Sequence, residues 1–303
     1  MPANPRPGDF EADRRAGTVA SLARAIVRMA NAGVRVINLS VVACIPVLKP
    51  VDQTTLGAAV RYAFKVKDVV LVAAAGNLGD KTAGNSDCQQ NPDVDATSTK
   101  DPRNWSGVVT ISTPSWFTDY VLSVGATDGN GQPAMDVNGR EITLLGPWVG
   151  VGAPGVGVEG FDVHGDLING ALDTNENKLK AMNGTSFSAA SVSGLAVLIR
   201  AKYPNLSAAQ VIRRIEATAH SPAAVVDNKI GYGTVDGVAA LNYDVPMDGA
   251  APSEHLSRPL VLRPAPPQPD RRPMLVAMIG SGVLLASLGG LFVAINLGKR
   301  RRE

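Results

Sequence analysis

The chain has 303 residues, 45% hydrophobic and 18% charged, with 31 glycines and 21 prolines. That balance excludes a disordered, collagen-like or low-complexity chain and leaves room for one full globular domain plus an accessory segment. A formal charge of +2 and the absence of a basic stripe interleaved with aromatics give no nucleic-acid footprint.

The first residues, MPANPRPGDFEADRRAG, are polar and contain neither an apolar stretch nor a small-residue cleavage site. Asp9 and Asp13 fall here with no strand ahead of them. Val19, Leu22, Ile26 and Met29 then recur at three- or four-residue spacing up to Gly33, which predicts a helix, and VRVINLSVV after it reads as a buried strand. Leu56, Ala59, Val60, Ala63 and Phe64 form a second helical face, followed by the strand VVLVAAA ending at Gly76. Strands alternating with helices predict an α/β fold, a parallel sheet with helices on both faces. Functional loops of such a sheet lie at the carboxyl ends of its strands, so residues just after Val42 and Ala75 draw attention first. Cys44 and Cys88 are too few for a disulfide scaffold and lack metal-ligand spacing, so they allow one bridge or two buried thiols.

Asn77 stands immediately beyond the second strand, where its amide could donate a hydrogen bond to a developing oxyanion; by itself it reads as a turn asparagine. Asn85 to Trp105 carries Asp87, Asp93, Asp95 and Asp101, but their spacing does not match an EF-hand and a solvated loop fits better. GVGAPGVGVEG has the glycines of a dinucleotide loop, yet Pro154 interrupts it and no helix follows, so a turn at APG explains it better. NGTSFSAASVSGLAVLIRAKY places Ser186 at the start of a small-residue helix, whose N-terminus offers positive potential and unpaired NH groups to a nucleophile. An ordinary N-cap is the bland alternative. SAAQ from Ser207, with Gln210 at the third position and Val211, Ile212 and Ile215 following, predicts a capped, purely structural helix.

Eight of the 21 prolines lie between Pro246 and Pro273, which marks a semi-rigid linker over 246–274. From Leu275 to Leu297 there is no charge in 23 residues, enough for roughly 30 Å of helix, so a transmembrane helix is expected. Gly282, Ala286 and Gly290 give it a weak small-residue face. The basic tail 298–303, with Lys299 and Arg300 to Arg302 against Arg271 and Arg272 on the near side, puts the C-terminus in the cytoplasm. Nothing in the first residues would export the domain that this orientation leaves outside, a conflict that a missing N-terminus would remove.

VINLS (Val36 to Ser40), AAAGN (Ala73 to Asn77), APG (Ala153 to Gly155), GTSFSAA (Gly184 to Ala190) and GYGTVD (Gly231 to Asp236) together resemble the subtilases, the subtilisin-like serine proteases. VVAC, LGAAVRYA, the DCQQNP loop, GPWV and a proline-rich linker before one C-terminal span resemble the mycosins within them, the membrane-anchored proteases of type VII secretion systems. The resemblance implies a serine endopeptidase with Ser186 as nucleophile and Asn77 as oxyanion donor. It implies that Ser40, Val41, Val42 and Ala43 lie on the strand lining the substrate cleft, and that Cys44 pairs with Cys88 in an oxidising setting. Expected partners are a protein or peptide substrate, a type VII secretion membrane complex and the membrane. The expected location is the cell membrane, single-pass, with the peptidase domain extracytoplasmic. No cofactor or metal is expected.

Subtilases carry their Asp and His in DTG-like and HGT-like motifs ahead of the oxyanion asparagine, and here no histidine precedes His164. His164 sits in HGD, His220 and His255 follow the serine, and none is assigned a catalytic role. Ser188 completes a GTSxS pattern like that of the sedolisins, but AAAGN and the lack of a glutamate motif favour the subtilisin type. Residues 1–245 therefore read as the C-terminal part of a subtilisin-like domain, begun at an internal methionine. Loss of the histidine alone costs about 10⁶ in turnover in a subtilisin, so the competing expectation is a pseudoprotease that serves as a structural component of the secretion complex.

Overall fold

In a computed structural model, the described residues are 9–78, 88–94, 100–136, 138–173, 178–223 and 225–246. All belong to the unit Met1–Val261. The predicted linker beyond Pro246, the span 275–297, the tail and His255 lie outside the described residues. Among the described residues no helix is long and apolar enough to cross a membrane.

Helix α1 (Asp9–Asn31) covers the polar stretch that holds Asp9 and Asp13. Its buried face is Val19, Ala23, Ile26 and Ala30, whereas Met29 is 44% exposed. The predicted periodicity was therefore right for Ile26 and wrong for Met29, because alanines at i+4 spacing carry the close contact instead. Strand β1 (Val36–Leu39) is shorter than the predicted 34–42, and β2 (Ala43–Pro46) begins after a break. Helix α2 (Thr54–Arg61) continues into a π turn at Tyr62–Val66 and buries Leu56, Ala59, Val60, Ala63 and Phe64 as expected.

Strand β3 (Val70–Ala74) is buried at every residue. Successive strand side chains point to opposite faces, so both faces of the sheet are covered at this strand. After β4 (Thr110–Thr113), strands β5 (Val121–Thr127) and β6 (Val149–Pro154) complete a parallel sheet in the order β1-β3-β5-β6. Ala153 and Pro154 belong to β6, so the predicted APG turn starts only at Gly155. Strand β2 leaves this sheet and pairs antiparallel with β4. Around that pair sits a second apolar cluster, including Ile45, Ile111, Leu144 and Trp148, with Trp116 meeting Trp105 edge-on and Trp148 at a tilt.

Two hairpins, β7–β8 (Gly160–Phe161 with Leu167–Ile168) and β9–β10 (Gly170–Asp173 with Lys178–Ala181), precede helix α3 (Thr185–Lys202). Helix α3 packs across all four strands of the parallel sheet. Helix α4 (Ala208–Ala217) opens with the predicted capping box, Ser207 bonded to Gln210 in both directions, and buries Val211 and Ile215. Helix α5 (Gly237–Asn242) is capped by Asp236. Arg214 holds it by donating to the carbonyls of Ala240 and Tyr243 while stacking on the Tyr203 ring, 4.3 Å from its centroid.

GYGTVD runs along the outer edge of β6. Tyr232 N donates to Gly150 O at 2.7 Å, Gly152 N to Gly233 O at 2.9 Å and Val235 N to Gly152 O at 2.9 Å. Gly233 has φ +129°, and a Cβ there would sit 2.0 Å from the His220 carbonyl oxygen. Gly233→Ala thus combines backbone strain with a backbone clash that no rotamer relieves. It is expected to lower stability by about 3 kcal/mol, read as the shift of the urea midpoint at unchanged slope.

Beneath β5 and β6, Arg103 donates to the carbonyls of Val149 and Asp227, both at 2.8 Å, and desolvation lowers its pKa. Burial pushes the Glu216 carboxyl up to about 7, against the opposing charges of Arg103 and Arg213. A carboxyl raised in the folded state favours the folded protein when protonated, so its contribution is present below its ordinary value near 4.5 and is lost as pH rises through about 7. Stability is expected to fall between about pH 4.5 and 7 in the wild type and to flatten in Glu216→Gln. Parallel urea midpoints for the two proteins across that range would exclude this role.

Candidate active site

The carboxyl ends of β1 and β3 and the N-terminus of α3 meet at one place. Gly184 caps α3, and Ser186 is the second residue of the helix, with no acidic residue in the first turn. Ser186 is therefore within the positive end of the helix dipole, with NH groups that the helix itself cannot bond. Its hydroxyl donates to the Ser40 carbonyl at 3.1 Å, and the Ser40 hydroxyl donates to the Ser186 carbonyl at 2.9 Å. This reciprocal pair joins residues 146 apart in sequence and fixes the helix start against the end of β1.

Asn77 approaches from the end of β3. Its Oδ1 accepts from the Thr185 amide and from the Thr185 hydroxyl, both at 2.9 Å. The Thr185 hydroxyl in turn accepts from Gly76 N at 3.3 Å. An amide oxygen engaged twice sets the orientation of the group, so the Nδ2 donor faces away from Thr185. Among the described residues no acceptor bonds Nδ2. Among these residues Ser186 NH and Asn77 Nδ2 are then two donors without a bonded acceptor, the kind of pair that binds an oxyanion.

The segment 40–43 differs from the expectation. Ser40, Val41 and Val42 are in no strand, and only Ala43 is, as the first residue of β2. Pairing with β3 stops at Leu39 opposite Ala73, and the next residue spends its hydroxyl and its carbonyl on Ser186. The chain therefore turns out of the sheet at Ser40, leaving Val41, the next residue, 59% exposed. Cys44, next along β2, is bonded to Cys88, with Cα atoms 5.2 Å apart. The bridge ties the segment 88–94 to the strand after Ser40.

The histidines lie elsewhere in the described bonding. His164 stands in the β7–β8 turn, where its amide donates to Asp162 Oδ1 at 2.8 Å. His220 is 74% exposed and pairs through Nε2 with Asp236 at 3.1 Å. Of the acidic loop residues, Asp93 meets Lys229 at 3.2 Å, and Asp101 accepts from the amides of Trp105 and Ser106, both at 2.9 Å. Asp87 and Asp95 lie outside the described residues, and among the described residues no cluster could hold a metal ion. Ser188 is fully buried against Gly155, with no hydrogen-bond partner for its hydroxyl among the described residues.

Sequence reasoning missed three residues that hold the site. Thr185 orients Asn77, while Gln90 and Asn91 brace the segment paired with it. Thr185 could have been noticed as the residue next to Ser186. The other two form bonds distant in sequence that leave no periodic pattern.

Comparison with known proteins points the same way. Residues 9–233 match the model of the subtilase family. The chain is 47% identical to Mycosin-5 of Mycobacterium tuberculosis over 97% of its own length and 49% of that protein's. The crystal structure of MycP1 from Mycobacterium smegmatis is 43% identical, with a TM-score of 0.73, covering 81% of this chain and 60% of that one. A chain in the intact ESX-5 inner membrane complex is 45% identical, with a TM-score of 0.73, covering 98% of this chain and 64% of that one. The chain spans about half the length of the curated relatives it matches.

Proposed function

Because the chain belongs to the subtilase family, we propose that it carries the nucleophile and oxyanion half of a mycosin-like serine endopeptidase acting on exported proteins. The observation that supports this best is the convergence of Ser186, at the start of α3, with an Asn77 amide whose oxygen is held by Thr185. In this reading the Ser186 hydroxyl turns from the Ser40 carbonyl to a scissile carbonyl and gives its proton to a general base. The new C–O bond pushes the carbonyl electrons onto oxygen, and Asn77 Nδ2 with the Ser186 NH holds that charge until the leaving amine takes the proton. Ser40 to Ala43 lines the cleft and presents Val41 to substrate. The general base corresponds to the family's HGT-like histidine, which none of the histidines of this sequence matches.

The test uses the product of the native locus, expressed from its own upstream sequence, and a fluorophosphonate probe read by mass spectrometry. Label on Ser186 and peptide hydrolysis, both abolished by Ser186→Ala, are expected. Hydrolysis that survives the substitution overturns the assignment.

A second reading is favoured by one observation. The only partner of the Ser186 hydroxyl among the described residues is a backbone carbonyl. In that case the chain works as a structural component of a secretion membrane complex, held in the membrane by 275–297 with its domain on the extracytoplasmic side. Relatives occur in the ESX-5 inner membrane complex. Ser186→Ala would then leave assembly intact, and deletion of 275–297 would abolish it.

A further inference from the structure

We propose that Gln90 is a positioning residue for Asn77, acting through the segment Ile142–Leu145 and anchored by the Cys44–Cys88 bridge. The proposal rests on the reading of Asn77 as the oxyanion donor.

Asn77 lies beyond the point where the parallel sheet can hold it. The last register pair of β3 with β5 is Ala74 opposite Val124, and the last bond is Ala75 N to Val124 O at 2.9 Å. Past that, the backbone around Asn77 is held by an antiparallel crossing segment. Leu144 N donates to Gly76 O at 2.8 Å, Leu78 N donates to Ile142 O at 2.9 Å, and Asn77 faces Thr143 in an antiparallel bridge. A two-bond bridge fixes a residue only as firmly as its partner is itself fixed.

Gln90 does that fixing on the opposite edge. Its Nε2 donates to Thr143 O at 3.2 Å, and its Oε1 accepts from Leu145 N at 2.9 Å. A side-chain amide offers donors on its nitrogen and an acceptor on its oxygen, so here it stands in for the strand that would otherwise pair with residues 143–145. Its remaining bond among the described residues is local, Asn91 N to Oε1 at 3.1 Å. Among the described residues, the longer-range bonding of Gln90 therefore goes to the segment that faces Asn77.

The loop holding Gln90 is tied down on both sides. Cys88 is bonded to Cys44 on β2, three residues from Val41. Asn91 is 3% exposed and bonds four backbone groups, donating to Thr110 O and Leu145 O and accepting from Val109 N and Thr110 N. One short loop thus links the strip that follows Ser40 with the segment that faces Asn77. Because that link includes a disulfide, reduction is expected to loosen the same amides as loss of Gln90.

Amide hydrogen exchange on the native-locus product tests the brace without any need for turnover. In Gln90→Ala, Leu78 and Leu144 are expected to exchange about tenfold faster, while Val124 in the sheet stays unchanged. Ser207→Ala, which removes the α4 cap, serves as a destabilised control and should leave Leu78 and Leu144 alone. Should Gln90→Ala fail to fold, Gln90→Glu keeps the acceptor for Leu145 and loses the donor to Thr143, and the same two amides report. Unchanged exchange at Leu78 and Leu144 overturns the proposal.

In the peptidase assay, Gln90→Ala is expected to lower kcat about tenfold with KM unchanged, and to cost nothing further when Asn77 is already alanine. Additive losses would mean that Gln90 does not act through Asn77. Absence of hydrolysis in the wild-type product overturns the peptidase reading itself, and with it the positioning role, whatever exchange shows about the brace.

Discussion

Replacing Ser186 by alanine is expected to lower peptide hydrolysis by about 10⁶, the loss measured for the equivalent change in a subtilisin. The three described hydroxyls that flank it cannot substitute. Thr185 is fully buried with its hydroxyl bonded to Asn77, Ser188 is fully buried against Gly155, and the Ser40 hydroxyl is committed to the Ser186 carbonyl. Stability should barely change, because the substitution removes only a partly buried hydroxyl bonded at 3.1 Å to a carbonyl, and alanine has the better helix propensity. An unchanged urea midpoint together with a collapsed rate identifies a chemical role. A rate that falls only severalfold, or a midpoint that falls with it, would assign Ser186 to structure instead.

The central sheet was legible because burial on both faces demands an unbroken apolar run, and Val70–Ala74 is such a run. The capping box at Ser207 was legible because its two bonds are local. The end of β1 was not. The apolar pattern continues through Val41 and Val42, but the chain leaves the sheet at Ser40 to bond a residue 146 positions away, and apolarity carries no record of such a contact.

Other local signals were present and went unread. Asp128, Asp136 and Asp162 each begin the pattern D-x-x-G-x, as DGNGQ, DVNGR and DVHGD. In all three the aspartate Oδ1 accepts from the amides two and four residues on, while its own amide donates to the carbonyl of the fifth residue. The fourth-residue glycines, Gly131, Gly139 and Gly165, have φ of +78°, +71° and +88°, which closes a tight hairpin. This pattern explains His164 as a turn residue on positive grounds, without appeal to a family motif. The site was legible through VINLS, AAAGN and GTSFSAA, whose residues the fold brings together, whereas Gln90 stood inside the DCQQNP motif without a legible role, because its partners lie 53 and 55 positions away.

Asn77→Ala is expected to lower kcat by about 10² to 10³ with little change in KM, equivalent to roughly 3–4 kcal/mol of transition-state stabilisation. The loss concentrates in kcat because Nδ2 has no bonded acceptor among the described residues and is expected to engage only when charge develops on the substrate oxygen. One confounding effect has to be separated, since alanine also removes the acceptor for the Thr185 amide and hydroxyl at the helix start. Thr185→Val isolates the hydroxyl part, because valine keeps the amide bond to Asn77 and loses the hydroxyl contacts to Asn77 and Gly76. If the oxyanion donor is what matters, Thr185→Val costs only severalfold in kcat, while Asn77→Ala costs the full factor. Equal losses in the two variants would mean that the start of α3 moved, and that the rate reports helix placement rather than charge stabilisation by the amide.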